Sequence, residues 1–140
     1  MASSWPYQSL YDAIVALVIG KTLKILLVTP SDTYDQVNDT YVSDISANEL
    51  AGGNYARQTL LGVLVTKGTG GHAAVIDAND VIWMGLSGHA VEAAYVYEED
   101  PAGDASSPLR WRIDGDNITT NGGNVTVKFH QTDGVANLNG

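Results

Sequence analysis

The side chains that could do chemistry in this sequence are few and scattered. His72, His89 and His130 are its only histidines. A zinc centre would need them to converge with a carboxylate such as Asp77 or Asp80. They lie on three different segments, and no two stand at the i, i+4 spacing that sets ligands on one helical face. Glu99-Asp100 with Asp104, and Asp114-Gly115-Asp116-Asn117, offer oxygens suited to calcium. Neither run follows a twelve-residue calcium loop, and Asp, Asn and Gly are also the residues of ordinary turns. A carboxylate pair for glycoside hydrolysis would need one member in an apolar strand centre to raise its pKa, and none stands there. Ser87, in Gly85-Leu86-Ser87-Gly88, lacks the spacing of a nucleophile elbow. Gly20-Lys21-Thr22 ends like a phosphate loop, but Val15 stands where that loop needs its first glycine. The expectation is a protein with no catalytic residues, no cofactor and no metal required for folding.

The elements that would hold these residues follow from periodicity. Tyr7, Leu10, Tyr11, Ile14, Val15 and Val18 recur at helical spacing, which predicts a helix over 7–19 ended by Gly20. Ser4 suits a cap and Pro6 a first turn. Leu23–Thr29 reads as a strand. Residues 30–54 are mostly turn formers, with one short helical turn expected over Ser46–Leu50. Strands then follow at even intervals: Arg57–Lys67, with Leu61, Val63 and Val65 on one side, then Ala73–Ile76 and Val81–Met84 around a hairpin connector, Asp77-Ala78-Asn79-Asp80. In Ala90–Glu98, Val91, Ala93, Tyr95 and Tyr97 alternate with Glu92, Ala94, Val96 and Glu98. Leu109–Ile113 places Leu109, Trp111 and Ile113 on one face, and Asp114–Asn117 reads as a turn before the strand Val125–His130. This spacing predicts a mainly-β chain: an antiparallel β-sandwich or small barrel with one N-terminal α-helix. Residues 1–6 are expected to be a flexible arm, and 7–140 a single domain.

Bulk numbers narrow the partners. There are 16 acidic and 7 basic residues in 140, a net charge of −9, so a phosphate backbone would be repelled and no nucleic-acid partner is expected. Cysteine is absent, which excludes disulfides and thiolate metal sites. The apolar run Ala13–Ile19 is too short to cross a bilayer, and no basic residue precedes it as in a signal peptide, so no membrane partner is expected. The aromatics divide into two groups. Trp83, Tyr95, Tyr97 and Trp111 fall at core-facing strand positions. Trp5, Pro6 and Tyr7 in the arm, and Tyr34 and Tyr41 in the long loop, carry no core period and are candidate interface anchors. The helix is apolar nearly all round and is expected to be covered on both sides, by its own sheet and by a neighbour.

Several runs together resemble a family of small tailed-phage virion structural proteins. These are a "K-I-x-L-L-x-x" strand, matched at Lys24-Ile25-Leu26-Leu27-Val28, "D-I-x-A-N-E-L" at Asp44–Leu50, and "G-x-Y-x-R" at Gly53-Asn54-Tyr55-Ala56-Arg57. Further on come Asp77-Ala78-Asn79-Asp80-Val81-Ile82-Trp83, the strand around Ala94-Tyr95-Val96-Tyr97, Ser107 to Asp114, and Thr120-Asn121-Gly122-Gly123 before Val125-Thr126-Val127. The resemblance implies a virion protein made in the cytoplasm of a bacterial host. Its most concrete form is a capsid decoration, or cement, protein on the outer surface of the shell. Such a protein clamps the major capsid protein and works as a homo-oligomer, with a homotrimer expected from analogy. A tail or head-fibre component, or a glycan-binding module on the phage surface, are the alternatives.

Overall fold

The helix that the apolar spacing predicts forms over Tyr7–Val18 (α1). Pro6 occupies its N-cap, and the Pro6 carbonyl accepts the amides of Ser9 and Leu10 at 3.0 and 3.3 Å. Proline is tolerated there because its missing N–H would have had no helical partner. Pro6 therefore belongs to the helix start rather than to a free arm. Beyond α1, Ile19 is extended and Gly20 has φ +76°, a left-handed conformation open to glycine. Gly20 thus closes a helix, whereas a phosphate cradle opens one.

The structure is a computed structural model that describes residues 6–67, 74–129 and 136–139. Trp5, His72 and His130 lie outside the described residues. The strands are β1 (Leu23–Val28), β2 (Gln58–Thr59), β3 (Leu64–Lys67), β4 (Ala74–Asp77), β5 (Val81–Trp83), β6 (Ser87–Glu98), β7 (Leu109–Asn121), β8 (Val125–Phe129) and β9 (Ala136–Asn139). They form a four-stranded sheet in the order β2-β1-β6-β7, a three-stranded sheet β5-β8-β9, and the hairpin β3-β4. All pairings are antiparallel, with Ile25 opposite Val96 and Leu27 opposite Ala94 in the central pair. The two larger sheets face each other across one core. Ile25, Leu27, Val91, Ala94 and Ile113 come from one side, and Val81, Trp83, Val125, Val127 and Leu138 from the other. The fold is the predicted mainly-β sandwich, and among the described residues the sheets stay open rather than closing into a barrel.

The other face of the four-stranded sheet is buried as well, and the long loop buries it. Residues 30–54 are mostly irregular, as their turn formers predict, but they pack against the sheet rather than standing free. They hold a short helix, α2 (Val42–Ile45), and a 3-10 turn at Ser46–Asn48. Val42 and Ile45, 0 % and 1 % exposed, pack with Leu26, Val28, Ala93, Tyr95 and Tyr97 into a second core. The loop is stitched to the sheet by Leu50 N–H to the Leu27 carbonyl (3.1 Å) and Val42 N–H to the Ser107 carbonyl (2.9 Å). A strand covered on both faces reads as a near-continuous apolar run, as Leu-Lys-Ile-Leu-Leu-Val in β1 does.

Three sequence expectations change. Arg57–Lys67 is not one strand, because Gly62 (φ +66°) turns the chain between β2 and β3. Asp77–Asp80 does not close a hairpin: β4 pairs with β3 and β5 with β8, so these residues cross between sheets. Asp114–Asn117 is not a turn but lies inside β7, where the register slips between Val91 opposite Ile118 and Ala93 opposite Asp114. A second slip puts Tyr97 opposite Leu109 while Val96 faces Trp111. These bulges move side chains between faces. Leu109 joins the core under the loop while Trp111 and Ile113 join the sandwich core, and Val91 parts from Ala93. Among the described residues the chain covers one side of α1, through Val18 and Ile14, and leaves Leu10, Leu17 and the following Ile19 exposed.

Candidate interaction surface

Glu49, Tyr55 and Arg57 form an internal clamp. Tyr55 donates its hydroxyl proton to Glu49 Oε1 at 2.7 Å, and its oxygen accepts the Leu27 amide at 3.1 Å. Arg57 meets Glu49 through Nε (2.8 Å) and Nη2 (2.7 Å), and meets Asp104 through Nη1 (2.8 Å) and Nη2 (2.9 Å). Its guanidinium also lies over the Tyr97 ring at 5.5 Å. One arginine thus ties the Glu49 loop and the Asp104 loop to the central strand β6. The planar fork of arginine makes two such bidentate pairs possible. Both carboxylates hold the guanidinium pKa above its ordinary value, Asp104 first, and Arg57 in turn holds Asp104 below the usual carboxylate range.

A second cluster surrounds Tyr95. Its hydroxyl donates to buried Asp32 at 2.9 Å and accepts from Arg112 Nε at 3.2 Å. The Arg112 guanidinium stacks over Tyr34 at 4.8 Å from the ring centroid and is paired with Asp114. Tyr34 remains 48 % exposed, so it is an aromatic surface held in place from behind. Tyr41 is 41 % exposed beside the Thr40 and Tyr41 amides, which both donate to the Asp44 carboxylate at 3.0 and 2.8 Å. Tyr7, 39 % exposed, begins α1. The described anchors therefore sit on two places, the helix and the loop. Tyr34 and Tyr41 are both on the loop that doubles as core cover.

Trp83 and the two strand tyrosines are buried as their positions predict. Trp83 Nε1 donates to the Ala56 carbonyl at 2.7 Å. The acidic turns are largely committed to the chain itself. Asp35 accepts the amides of Val37 and Asn38, Asp100 accepts Ala102, and Asp104 is taken by Arg57. Among the described residues no three His, Cys, Asp or Glu side chains converge as a metal site. Nor, among them, is any helix long and apolar enough to cross a membrane. The second core is not legible in residues 30–54, whose only local signal of it is the spacing of Val42 and Ile45.

Burial pushes the phenols of Tyr55, Tyr95 and Tyr97 above their ordinary value of 10.0. An acid whose folded pKa is raised contributes stability that is present below the unfolded pKa and lost as pH rises above it. The melting temperature is therefore expected to hold through neutral pH and to fall once pH exceeds about 10. Phenolate absorbance followed alongside near-ultraviolet circular dichroism checks this. These tyrosines should ionise with unfolding and not before it.

Comparison with protein-family models, curated proteins and solved structures finds no match to this chain.

Proposed function

We propose that this chain is a bacteriophage virion structural protein, a capsid decoration protein that binds the outer surface of the shell and clamps major capsid protein subunits as a homotrimer. The observation that carries the reading is a two-core β body that presents half-exposed aromatics, Tyr7, Tyr34 and Tyr41, from a nearly uncharged helix and a pinned loop. Anchors held in place lose little entropy on docking, and repeated contacts in a closed oligomer add avidity. The resemblance to tailed-phage virion proteins and the net charge of −9 point the same way, to a protein surface rather than to DNA.

Imaging the intact particle with the protein labelled tests this directly. Density over the shell supports the reading. Density confined to the tail or a head fibre makes it the alternative virion component, and no density removes it from the virion. Replacing Tyr7 and Tyr41 by serine should leave the melting curve close to wild type, since neither side chain is buried. If either is an anchor worth about 2 kcal/mol, shell affinity drops roughly 30-fold for each. Deleting residues 1–5, which include Trp5 but spare the Pro6 cap, should lower shell occupancy in the same way. Unchanged occupancy in both variants would refute the anchor assignment.

A glycan-binding module is the second reading. In its favour is a shallow pocket of about 110 Å³ lined by Tyr34, Tyr95 and Trp111 with Asp39 and Arg112, aromatic faces beside planar polar groups. Binding to a glycan array, lost on Tyr34→Ala, would favour it over the shell reading.

A further inference from the structure

A groove of about 350 Å³ lies between α1, the β3–β4 hairpin and the four-stranded sheet. That volume is in the range that takes small molecules. Leu17 and Val18 line it from the helix, Ala74 from the hairpin, and Val96 and Trp111 from the sheet. Among the described residues, every side chain lining it is apolar except Arg110. Arg110 stands where β7 slips register against β6. Its Nη2 holds Glu98 at 2.6 Å, but its Nε is buried and has no hydrogen-bond partner among the described residues. Buried donors are nearly always satisfied, so an unpaired one beside a groove calls for an acceptor.

Charge selects the acceptor. Lys21 also reaches Glu98, at 3.6 Å, and the neighbouring Lys24 takes Glu99 at 2.9 Å. Among the described residues, three cations, Lys21, Lys24 and Arg110, share two carboxylates at this corner, which leaves one positive charge over. On a chain of net −9 that is a local exception, and it sits beside an apolar groove. We propose that the groove binds an aliphatic monocarboxylate. The hydrocarbon chain lies between α1 and the sheet, and a carboxylate oxygen accepts the Arg110 Nε–H in a charge-assisted hydrogen bond. An alcohol satisfies the donor but not the charge, and an aliphatic ammonium satisfies neither. The assignment does not depend on where, or whether, the protein sits on a virion.

Calorimetric titration of the full chain with decanoate, 1-decanol and decylammonium, each kept below its aggregation threshold, tests it. Decanoate is expected to bind saturably at one per chain, decanol about tenfold more weakly, and decylammonium not at all. Arg110→Met keeps the apolar stem and should bring decanoate down to the decanol level without changing decanol. Arg110→Lys keeps the charge but lacks the Nε–H, and should fall between wild type and Arg110→Met. It also serves as the test if the methionine variant fails to fold. Ala74→Phe fills the groove and should abolish binding of both ligands while the circular dichroism spectrum is retained. The proposal is overturned if decanoate gives no saturable heat, if decanol binds as tightly, if both Arg110 variants bind decanoate like wild type, or if Ala74→Phe leaves binding unchanged.

Discussion

Replacing Arg57 with methionine is expected to destabilise the protein by about 3 kcal/mol, the lower end of the cost of breaking a buried ion pair by removing one partner. Glu49 is the reason. Its side chain is only 14 % exposed, and Arg57 neutralises it through two hydrogen bonds. Without the guanidinium, Glu49 keeps only the Tyr55 hydroxyl as a donor among its described partners. Asp104, 40 % exposed, can turn to water and contributes little to the loss. For a chain of this length the melting temperature should fall on the order of 10 °C. Glu49→Gln in the Arg57→Met background should recover part of that, because it removes the uncompensated charge. Thermal unfolding of the two variants checks this. A loss below about 0.5 kcal/mol for Arg57→Met would mean the clamp is only a surface pair. The expected damage is also local, since the clamp ties two loops to the sheet. Amide exchange should quicken first around Glu49–Leu50 and Asp104–Ser107.

Gly115→Val is expected to cost about 3 kcal/mol or more by overpacking. A Cβ on Gly115 would stand 2.8 Å from Leu138 Cδ2 and 2.9 Å from the Glu92 carbonyl oxygen. Leu138 can change rotamer, but the carbonyl is backbone of the neighbouring strand and cannot yield without moving β6. Gly115 lies within the register slip of β7, where β9 comes close. Forcing these strands apart should open the sandwich at β9 before the lid side, whose core does not include Leu138. Urea unfolding monitored by tryptophan fluorescence gives the size of the loss. Protection of the β8–β9 amides gives its location. A midpoint shift smaller than Gly115→Ala alone should produce would show that the strands accommodate the side chain.

Both predictions bear on what was legible beforehand. The helix, β6, the first part of β7 and β8 could be read from side-chain period, because period reports which face of a local element meets apolar surroundings, and β1 from its apolar run, whereas the rest of β7 and β9 could not. The antiparallel sandwich followed from the number and spacing of those strands. The packing of the long loop is not legible, because only Val42, Ile45 and Leu50 of its apolar residues are buried, and they are set among turn formers. The aromatic anchors Tyr34 and Tyr41 are half-exposed, but the loop that carries them is a structural lid as well as a surface.

The amino-acid sequence alone determined the kinds of element, the fold class and the lack of any complete catalytic or metal pattern, since these depend on residues near one another in the chain. Only the tertiary structure decided which strands pair, which face each side chain takes beyond a bulge, and which charges meet. A one-residue slip at Arg110 sends Leu109 and Trp111 to opposite cores, and nothing in the alternation of Leu-Arg-Trp-Arg-Ile announces it. Glu49, Tyr55 and Arg57 stand close in sequence, yet their partners Leu27, Tyr97 and Asp104 are distant, so the clamp exists only once the sheet has formed. Side-chain period is a local property. Register and ion pairing across a sheet are set by long-range packing, which chooses among pairings that look equivalent from any single segment.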